Sequence, residues 1–291
     1  MEKIEVSNFK EKKLVHIGEG SKIYELPNNR ILKIINQELI EGFSSLGFSY
    51  ETKILNTKAK KVKEIVGPTA MVYNGQNFCG YTMKKIIGTE INDFLTALNP
   101  KDKYSFAFLT NFYAKLEDII RRANKEGIVV PDMCTKGNIF IQENQEMKLL
   151  DFDGIQFGQT DFAPAISSDL GSPMPYFQSS KYSIRPGTFT TEIDKTSLSI
   201  FLFWVVFNAD LKLLGQYKPE FGRVVTIKDL FGILNIHDQT FMNKIAANMS
   251  LNSSGDYLAK DLIRLSHKYD LNIIGFKNGI PIKKLVLKQK W

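Results

Sequence analysis

Cysteine is scarce: the 291 residues hold two, Cys79 and Cys134, with no CxxC pair. Two isolated cysteines give neither a disulfide framework nor a cysteine zinc site, and they fit a reducing, cytoplasmic setting. Long apolar runs are missing too. The longest, Leu198 to Phe207, is broken only by Ser199 and is about half the length a membrane-spanning helix needs. It reads as a helix buried inside the protein, so no membrane span is expected. Residues 1–13 are charged and have no apolar core followed by small residues, which argues against a secretory leader. Internal repeats and low-complexity tracts are also absent.

What remains is ordinary soluble material, 43% hydrophobic and 24% charged, enough to bury a core in one large domain or two modest ones. The net charge of +7 comes partly from lysines at 58, 60, 61 and 63 and at 283, 284, 288 and 290. No aromatic interleaving accompanies them, so they read as solvated faces, and no specific nucleic-acid binding is expected.

The first third alternates short β-type runs with turn signals. Leu14–Ile17, Ile23–Leu26, Ile31–Ile35, Ala70–Tyr73 and Phe78–Met83 read as five strands, with Pro27-Asn28-Asn29 and Asn74-Gly75 as turns. Between the third and fourth strands, Phe48, Glu51, Ile54 and Leu55 fall at helical spacing. Beyond Gly88 the pattern turns helical. Phe106, Leu109, Phe112, Leu116, Ile119 and Ala123 mark one long amphipathic helix. Two short apolar pieces follow, Ile139–Ile141 and Met147–Leu150, then a polar stretch from Gln156 to Thr191 that reads as a long loop. The apolar helix comes next, further helices reach about Tyr269, and Asn278-Gly279 lies between two apolar runs as in a hairpin. The fold class is α+β.

Several residues are out of place for a purely structural reading. Lys33 lies within the apolar run Ile31–Ile35, and Glu51, eighteen positions on, is acidic on what reads as an apolar helix face. A buried glutamate needs a cation, and Lys33 is the nearest candidate in the pattern. Further on, Asp132 follows Ile128–Pro131, Asn138 opens a short strand and Asp151 ends another. An Asp and an Asn at neighbouring strand ends can share a magnesium ion, a hard cation that takes oxygen ligands alongside phosphates. A second Asp nearby can orient an acceptor hydroxyl and take its proton. Gly18 and Gly20 sit in a tight connection between two strands and can bring backbone amides close to a phosphate.

Taken in order, a glycine-rich hairpin, strand Lys, helix Glu, long helix, Asp, Asn, Asp-Phe and a buried helix opening on Asp194 resemble the protein-kinase-like superfamily from about Leu14 to about Asp210. The resemblance implies a bilobal fold: a five-stranded antiparallel sheet with one helix over residues 1–87, and a mainly helical part over 88–269. The C-terminal hairpin, 270–291, is an extension. Residue by residue, Gly18 and Gly20 match the nucleotide-covering loop, Lys33 the phosphate-binding lysine and Glu51 its helix partner. Met83 resembles the gatekeeper, and Lys84, Lys85 and Ile86 the hinge that meets adenine. Asp132 resembles the catalytic-loop aspartate, while Asn138 and Asp151 resemble the metal-holding pair. Asp194 resembles the aspartate that tethers the catalytic loop from below.

The chain also departs from that pattern. The third glycine of the loop is missing, and Val130 and Pro131 stand where His and Arg are usual. Asp132 and Asn138 are six apart, one more than the pattern has. Cys134 replaces a basic residue, with Lys136 close by. Asp153 stands in place of the glycine in Asp-Phe-Gly, and no Ala-Pro-Glu ends the long loop. The implied activity is ATP- and Mg2+-dependent phosphotransfer by an atypical, bacterial-type protein serine/threonine kinase with a protein acceptor. A small-molecule kinase of the same superfold and a nucleotide-binding pseudokinase are the alternatives.

Overall fold

The computed structural model describes residues 1–18, 20–56, 61–98, 105–133, 137–159, 161–163, 183–185, 188–207, 217–218, 223–224, 226–250, 253–277 and 280–288. The protein is α+β, with a mixed sheet and eight α-helices among the described residues.

The first 84 residues build one six-stranded sheet from β1 (Glu2–Glu5), β2 (Lys13–Ile17), β3 (Ser21–Leu26), β4 (Arg30–Ile35), β5 (Pro68–Asn74) and β6 (Asn77–Lys84). Their spatial order is β1-β5-β6-β4-β3-β2. Five are the strands read from sequence, and all their mutual pairings are antiparallel. The sixth corrects the five-stranded expectation: β1 pairs parallel with β5, Glu2 opposite Ala70 and Glu5 opposite Tyr73. Its charged sequence shows no apolar alternation, because as an edge strand it buries almost nothing.

The pleat divides the sheet residues between two faces. Leu26, Leu32 and Val72 form a small cluster on one face, covered by Val6 and Phe9 from the N-terminal segment. On the other face Ile35, Met71, Tyr81 and Met83 join the main core.

Two helices connect β4 to β5 where one was expected: α1 (Gln37–Ser45) and α2 (Tyr50–Ile54), with Phe48 between them. In so short a helix one face can be inward, and the buried residues of α2 are Tyr50, Lys53 and Ile54, at i, i+3 and i+4. Glu51 therefore lies on the outer side.

A strap then ties the sheet to the rest of the molecule. Ile65 bridges Leu149 in parallel, Val66 N–H donates to Leu149 O at 2.9 Å, and Leu149 N–H donates to Glu64 O at 2.8 Å. The Arg122 guanidinium grips Glu64 through two bonds of 2.9 and 3.0 Å, a planar fork on a carboxylate.

Beyond the strap come β7 (Thr89–Glu90), α3 (Ile91–Ala97) and the long α4 (Phe106–Lys125). All six apolar positions that marked α4 in the sequence are buried in it. Next are β8 (Ile128–Val129), β9 (Ile139–Ile141), β10 (Met147–Leu149) and β11 (Gln156–Phe157). Strands β10, β9 and β7 make a three-stranded sheet, and β11 pairs antiparallel with β8.

The stretch read as a loop from Gln156 to Thr191 thus holds β11, then β12 (Ser183–Arg185) paired with β13 (Thr188–Phe189). The side chain of Gln156, itself buried, bonds both backbone groups of Phe189, a long-range tie that no local pattern encodes. Residues 164–182, with most of its hydroxyls, lie outside the described residues.

Helix α5 (Glu192–Leu202) runs into a π-helical turn, Phe203–Phe207, and is buried from Ile193 onward except at Lys195, so the apolar run is a core element. No described helix is long and apolar enough to cross a membrane. After the two-stranded pair β14 (Tyr217–Lys218) and β15 (Arg223–Val224) come α6 (Ile227–Ile233), α7 (Gln239–Asn248) and α8 (Ala259–Lys268). Helix α8 packs along α4, whose Glu117 carboxylate accepts the Leu258 and Ala259 N–H groups at 2.6 and 2.8 Å. One helix thereby caps the orphan donors at the start of another. The chain ends in a hairpin of β16 (Tyr269–Lys277) and β17 (Ile280–Leu287); its turn, 278–279, lies outside the described residues.

Candidate active site

The candidate site forms where the large sheet faces the three-stranded one. Lys33 on β4 and Tyr81 on β6 are directly opposite in the antiparallel register, so both side chains leave the sheet on the same face. Gly80 lets the strands approach so closely: a Cβ there would lie inside hard contact with the Lys33 carbonyl.

The loop after β10 supplies the opposing charges. Asp151, two residues past the strand, has left-handed backbone, φ 57° and ψ 53°, which turns the chain sharply into the single helical turn Phe152–Gly154. Gly154 N–H closes that turn on Asp151 O at 2.8 Å. A Cβ on Gly154 would strike the Asp151 carboxylate, so this glycine makes room for the aspartate. Phe152 is buried against Phe157, with ring centroids 4.6 Å apart, and anchors the turn in the core.

Lys33 Nζ donates to Asp151 Oδ1, and to Asp153 Oδ1 at 2.7 Å. Tyr81 OH donates to the same Asp153 oxygen at 2.6 Å. Burial lowers the Lys33 pKa, but the two carboxylates outweigh it and hold the ammonium above its usual value. Burial also pushes both carboxyls up. For Asp151 that push prevails over the pull of Lys33. Asp153 falls below the usual range, because Lys33 and the two side-chain hydrogen bonds prevail.

Asp132 follows β8, and Asn138 immediately precedes β9. Asn138 Nδ2 donates to Asp132 O at 2.8 Å and reaches Asp132 Oδ2 at 3.3 Å. Leu150 N–H donates to Asn138 O at 2.9 Å, which puts Asn138 beside the residue preceding Asp151. Asp132, Asn138 and Asp151 line one crevice of about 10 Å³ with Val130, Met133, Leu149, Leu150, Gly154 and Ile155. That volume suits a single water or small ion.

Among the described residues no group of three or more His, Cys, Asp or Glu side chains is placed to hold a metal. The donor set still fits a hard cation that keeps waters and phosphate oxygens. One carboxylate comes from Asp151. The Asn138 amide turns its nitrogen to Asp132, so its oxygen is the atom left for a cation.

Beneath the crevice, Asp194 at the start of α5 is fully buried. Its Oδ1 accepts the Val130 N–H at 2.9 Å and its Oδ2 the Asn124 amide at 2.5 Å. Burial pushes its carboxyl up to about 7 against the pull of those bonds.

Other sequence candidates fall around this centre. Gly18 and Gly20 close the β2–β3 connection, with Gly18 N–H on Ser21 O at 2.9 Å; Glu19 between them lies outside the described residues. Met83 is buried beside the site, β6 ends at Lys84, and Lys85 is tied back by its N–H to Asn29 O at 2.8 Å and by its ammonium to Glu25 at 2.6 Å. Ile86 packs against the main core. Cys134 and Lys136 lie outside the described residues.

The expected pairing of Lys33 with Glu51 is not what the structure holds. Glu51 accepts from Tyr73 OH at 2.5 Å and from Lys3 at 3.3 Å, on the outer side of α2. The buried charge on that helix is Lys53, which sequence reasoning passed over. Its ammonium donates to the carbonyls of Ile155 and Phe162 and to Asp161 at 3.1 Å, and it lies 4.7 Å from the Phe162 ring centroid. Burial draws its pKa down, with Asp161 opposing. The signal was there in the i, i+3, i+4 triplet Tyr50, Lys53, Ile54, a lysine in an inward-facing pattern.

Compared with known proteins, the chain matches no protein-family model and no curated sequence.

Proposed function

We propose that the protein is an ATP- and Mg2+-dependent phosphotransferase on a bilobal protein-kinase-like scaffold, with the six-stranded sheet as one lobe and the helical part as the other. The observation that carries this reading is the meeting of Asp132, Asn138 and Asp151 at one crevice, from the ends of β8, β9 and β10, with Lys33 of the sheet bonded to Asp151. Residues up to 118 positions apart that converge as cation, carboxylates and amide are suited to charge-stabilised phosphoryl transfer.

In this reading Lys33 meets the α- and β-phosphates, and Gly18 and Gly20 cover them. Met83, Lys84, Lys85 and Ile86 border the adenine. Asn138 and Asp151 hold magnesium, which neutralises charge on the phosphates when bound. Asp132 orients the acceptor hydroxyl and takes its proton. Val130 N–H, two residues before Asp132, donates to Asp194, which fixes the backbone leading to Asp132.

A protein acceptor is favoured. The ground is the sequence, which carries no inserted helical pattern between Asp132 and α5 of the kind that roofs a small-molecule cleft. ATP and magnesium are met in the cytoplasm, where a free cysteine such as Cys79 also persists.

The deciding experiment is thermal denaturation with ATP, with and without magnesium, followed by incubation with labelled ATP and mass spectrometry of the chain and of candidate proteins. Magnesium-dependent stabilisation that Asp151→Ala abolishes, and phosphate on serine or threonine, are the expected results. No shift with magnesium and ATP would overturn the reading. Turnover that rises only with added sugars, aminoglycosides or other small alcohols would replace the protein acceptor with a small molecule.

A further inference from the structure

The two carboxylates on Lys33 are not equivalent. The Asp153 side chain is 6% exposed, and one of its oxygens takes both the Lys33 ammonium and the Tyr81 hydroxyl. The Asp151 side chain is 29% exposed and borders the crevice shared with Asp132 and Asn138. A buried carboxylate cannot give up its cation without leaving an uncompensated charge, whereas a partly exposed one can exchange it for another cation or for water. The cross-strand register adds a second constraint. Lys33 and Tyr81 leave neighbouring strands side by side, so Tyr81 holds Asp153 at the position where Lys33 arrives.

We infer that Asp153, held by Tyr81, is the positioning residue for Lys33, and that Asp151 is the exchangeable partner that releases Lys33 when a nucleotide and a divalent cation enter. This rests on the phosphotransferase reading. The anchor comes from the turn after β10, not from a helix. Glu51 is engaged by Tyr73 and Lys3 on the outer side of α2 and stands outside the site. Lys33 therefore takes its alignment from the Phe152–Gly154 turn and not from the acidic residue of α2.

The test compares the full-length parent with Asp153→Asn, Tyr81→Phe and Glu51→Gln in two assays. The first is turnover of magnesium-ATP, with kcat and KM separated. The second, which needs no nucleotide, is the rate at which a small water-soluble amine-acylating ester labels Lys33, read by peptide mass spectrometry. Asp153→Asn is expected to lower kcat by about 10²-fold with a smaller change in KM, and Tyr81→Phe by about tenfold. Both should speed labelling of Lys33 several-fold, while Glu51→Gln leaves kcat and labelling as in the parent. Should Asp153→Asn fail to fold, Tyr81→Phe, which keeps the ring and removes one hydroxyl, carries the test alone.

Labelling accelerated by Glu51→Gln but not by Tyr81→Phe or Asp153→Asn overturns the inference, as does faster labelling with unchanged kcat. A parent without magnesium-ATP turnover defeats the phosphotransferase reading, and the labelling rates then decide the anchoring of Lys33 alone.

Discussion

Asp194 Oδ1 accepts the Val130 N–H at 2.9 Å across 64 residues of sequence, from a side chain with no exposed surface. The bond joins the first turn of α5 to the segment that delivers Asp132, so the buried helix sets the height of the crevice floor. Its second oxygen holds Asn124, whose other contacts are Ile128 O and Tyr257 OH. One carboxylate thus orders the ends of α4, β8 and α5.

This makes Asp194 a pH-dependent element. Its folded pKa of about 7 lies above the ordinary carboxylate value, so the folded state binds a proton more tightly than the unfolded chain. Its contribution to stability is complete below about pH 4 and falls as pH rises to about 7, levelling off beyond. Denaturant midpoints of the parent should drop over that window relative to Asp194→Asn, which has no proton to lose there. Equal slopes in both proteins would show that the carboxylate is ionised throughout. Asp194→Ala, which strands the Val130 and Asn124 donors, should cost about 2–4 kcal/mol at any pH.

Asp132 and Asp151 should fail in different ways. On the phosphotransferase reading, Asp132→Asn is expected to keep ATP affinity while turnover falls by about 10²-fold or more, because only the acceptor side would lose its base. Asp151→Ala should remove the magnesium dependence of ATP binding. Isothermal titration together with a turnover assay separates the two outcomes. Equal turnover in Asp132→Asn and the parent would make Asp132 a turn-capping residue.

Lys53 clamps the chain that follows the Phe152–Gly154 turn. Lys53→Met keeps the aliphatic stem but leaves Asp161 and two carbonyls without their cation. The expected loss is about 3 kcal/mol, since breaking a buried pair leaves one charge uncompensated. Amide exchange should rise across residues 155–163 more than in α4. A uniform rise throughout the protein would point to global loosening instead.

Two glycines give opposite expectations. Gly80→Ala forces a Cβ into the Lys33 carbonyl and should separate β4 from β6, at a cost of about 3 kcal/mol and, on the phosphotransferase reading, with loss of nucleotide binding. Gly42, within α1, has nothing within 4 Å of a built Cβ. Gly42→Ala should stabilise by about 0.5–1 kcal/mol through helix propensity alone. Melting temperatures of the two variants, moving in opposite directions, check both.

Local chemistry determined a good deal. Turn residues and alternation marked five of the six strands, and the six apolar positions of α4 come from helical period alone. The same local reading put Lys33 in a strand and Asp132, Asn138 and Asp151 at element ends, because residue type and neighbours are enough for that. Tertiary structure decided the rest. β1 has no apolar pattern to read, since it gains its place through backbone bonds to β5. Which carboxylate meets Lys33 depended on which face of a five-residue helix turned inward, and there Tyr50, Lys53 and Ile54 displaced Glu51. The register that sets Tyr81 against Lys33, and the αL turn that sets Asp153 beneath both, join residues up to 120 positions apart. Sequence periodicity carries information over a few turns of chain, and the partner of a buried charge is chosen by packing over the whole fold.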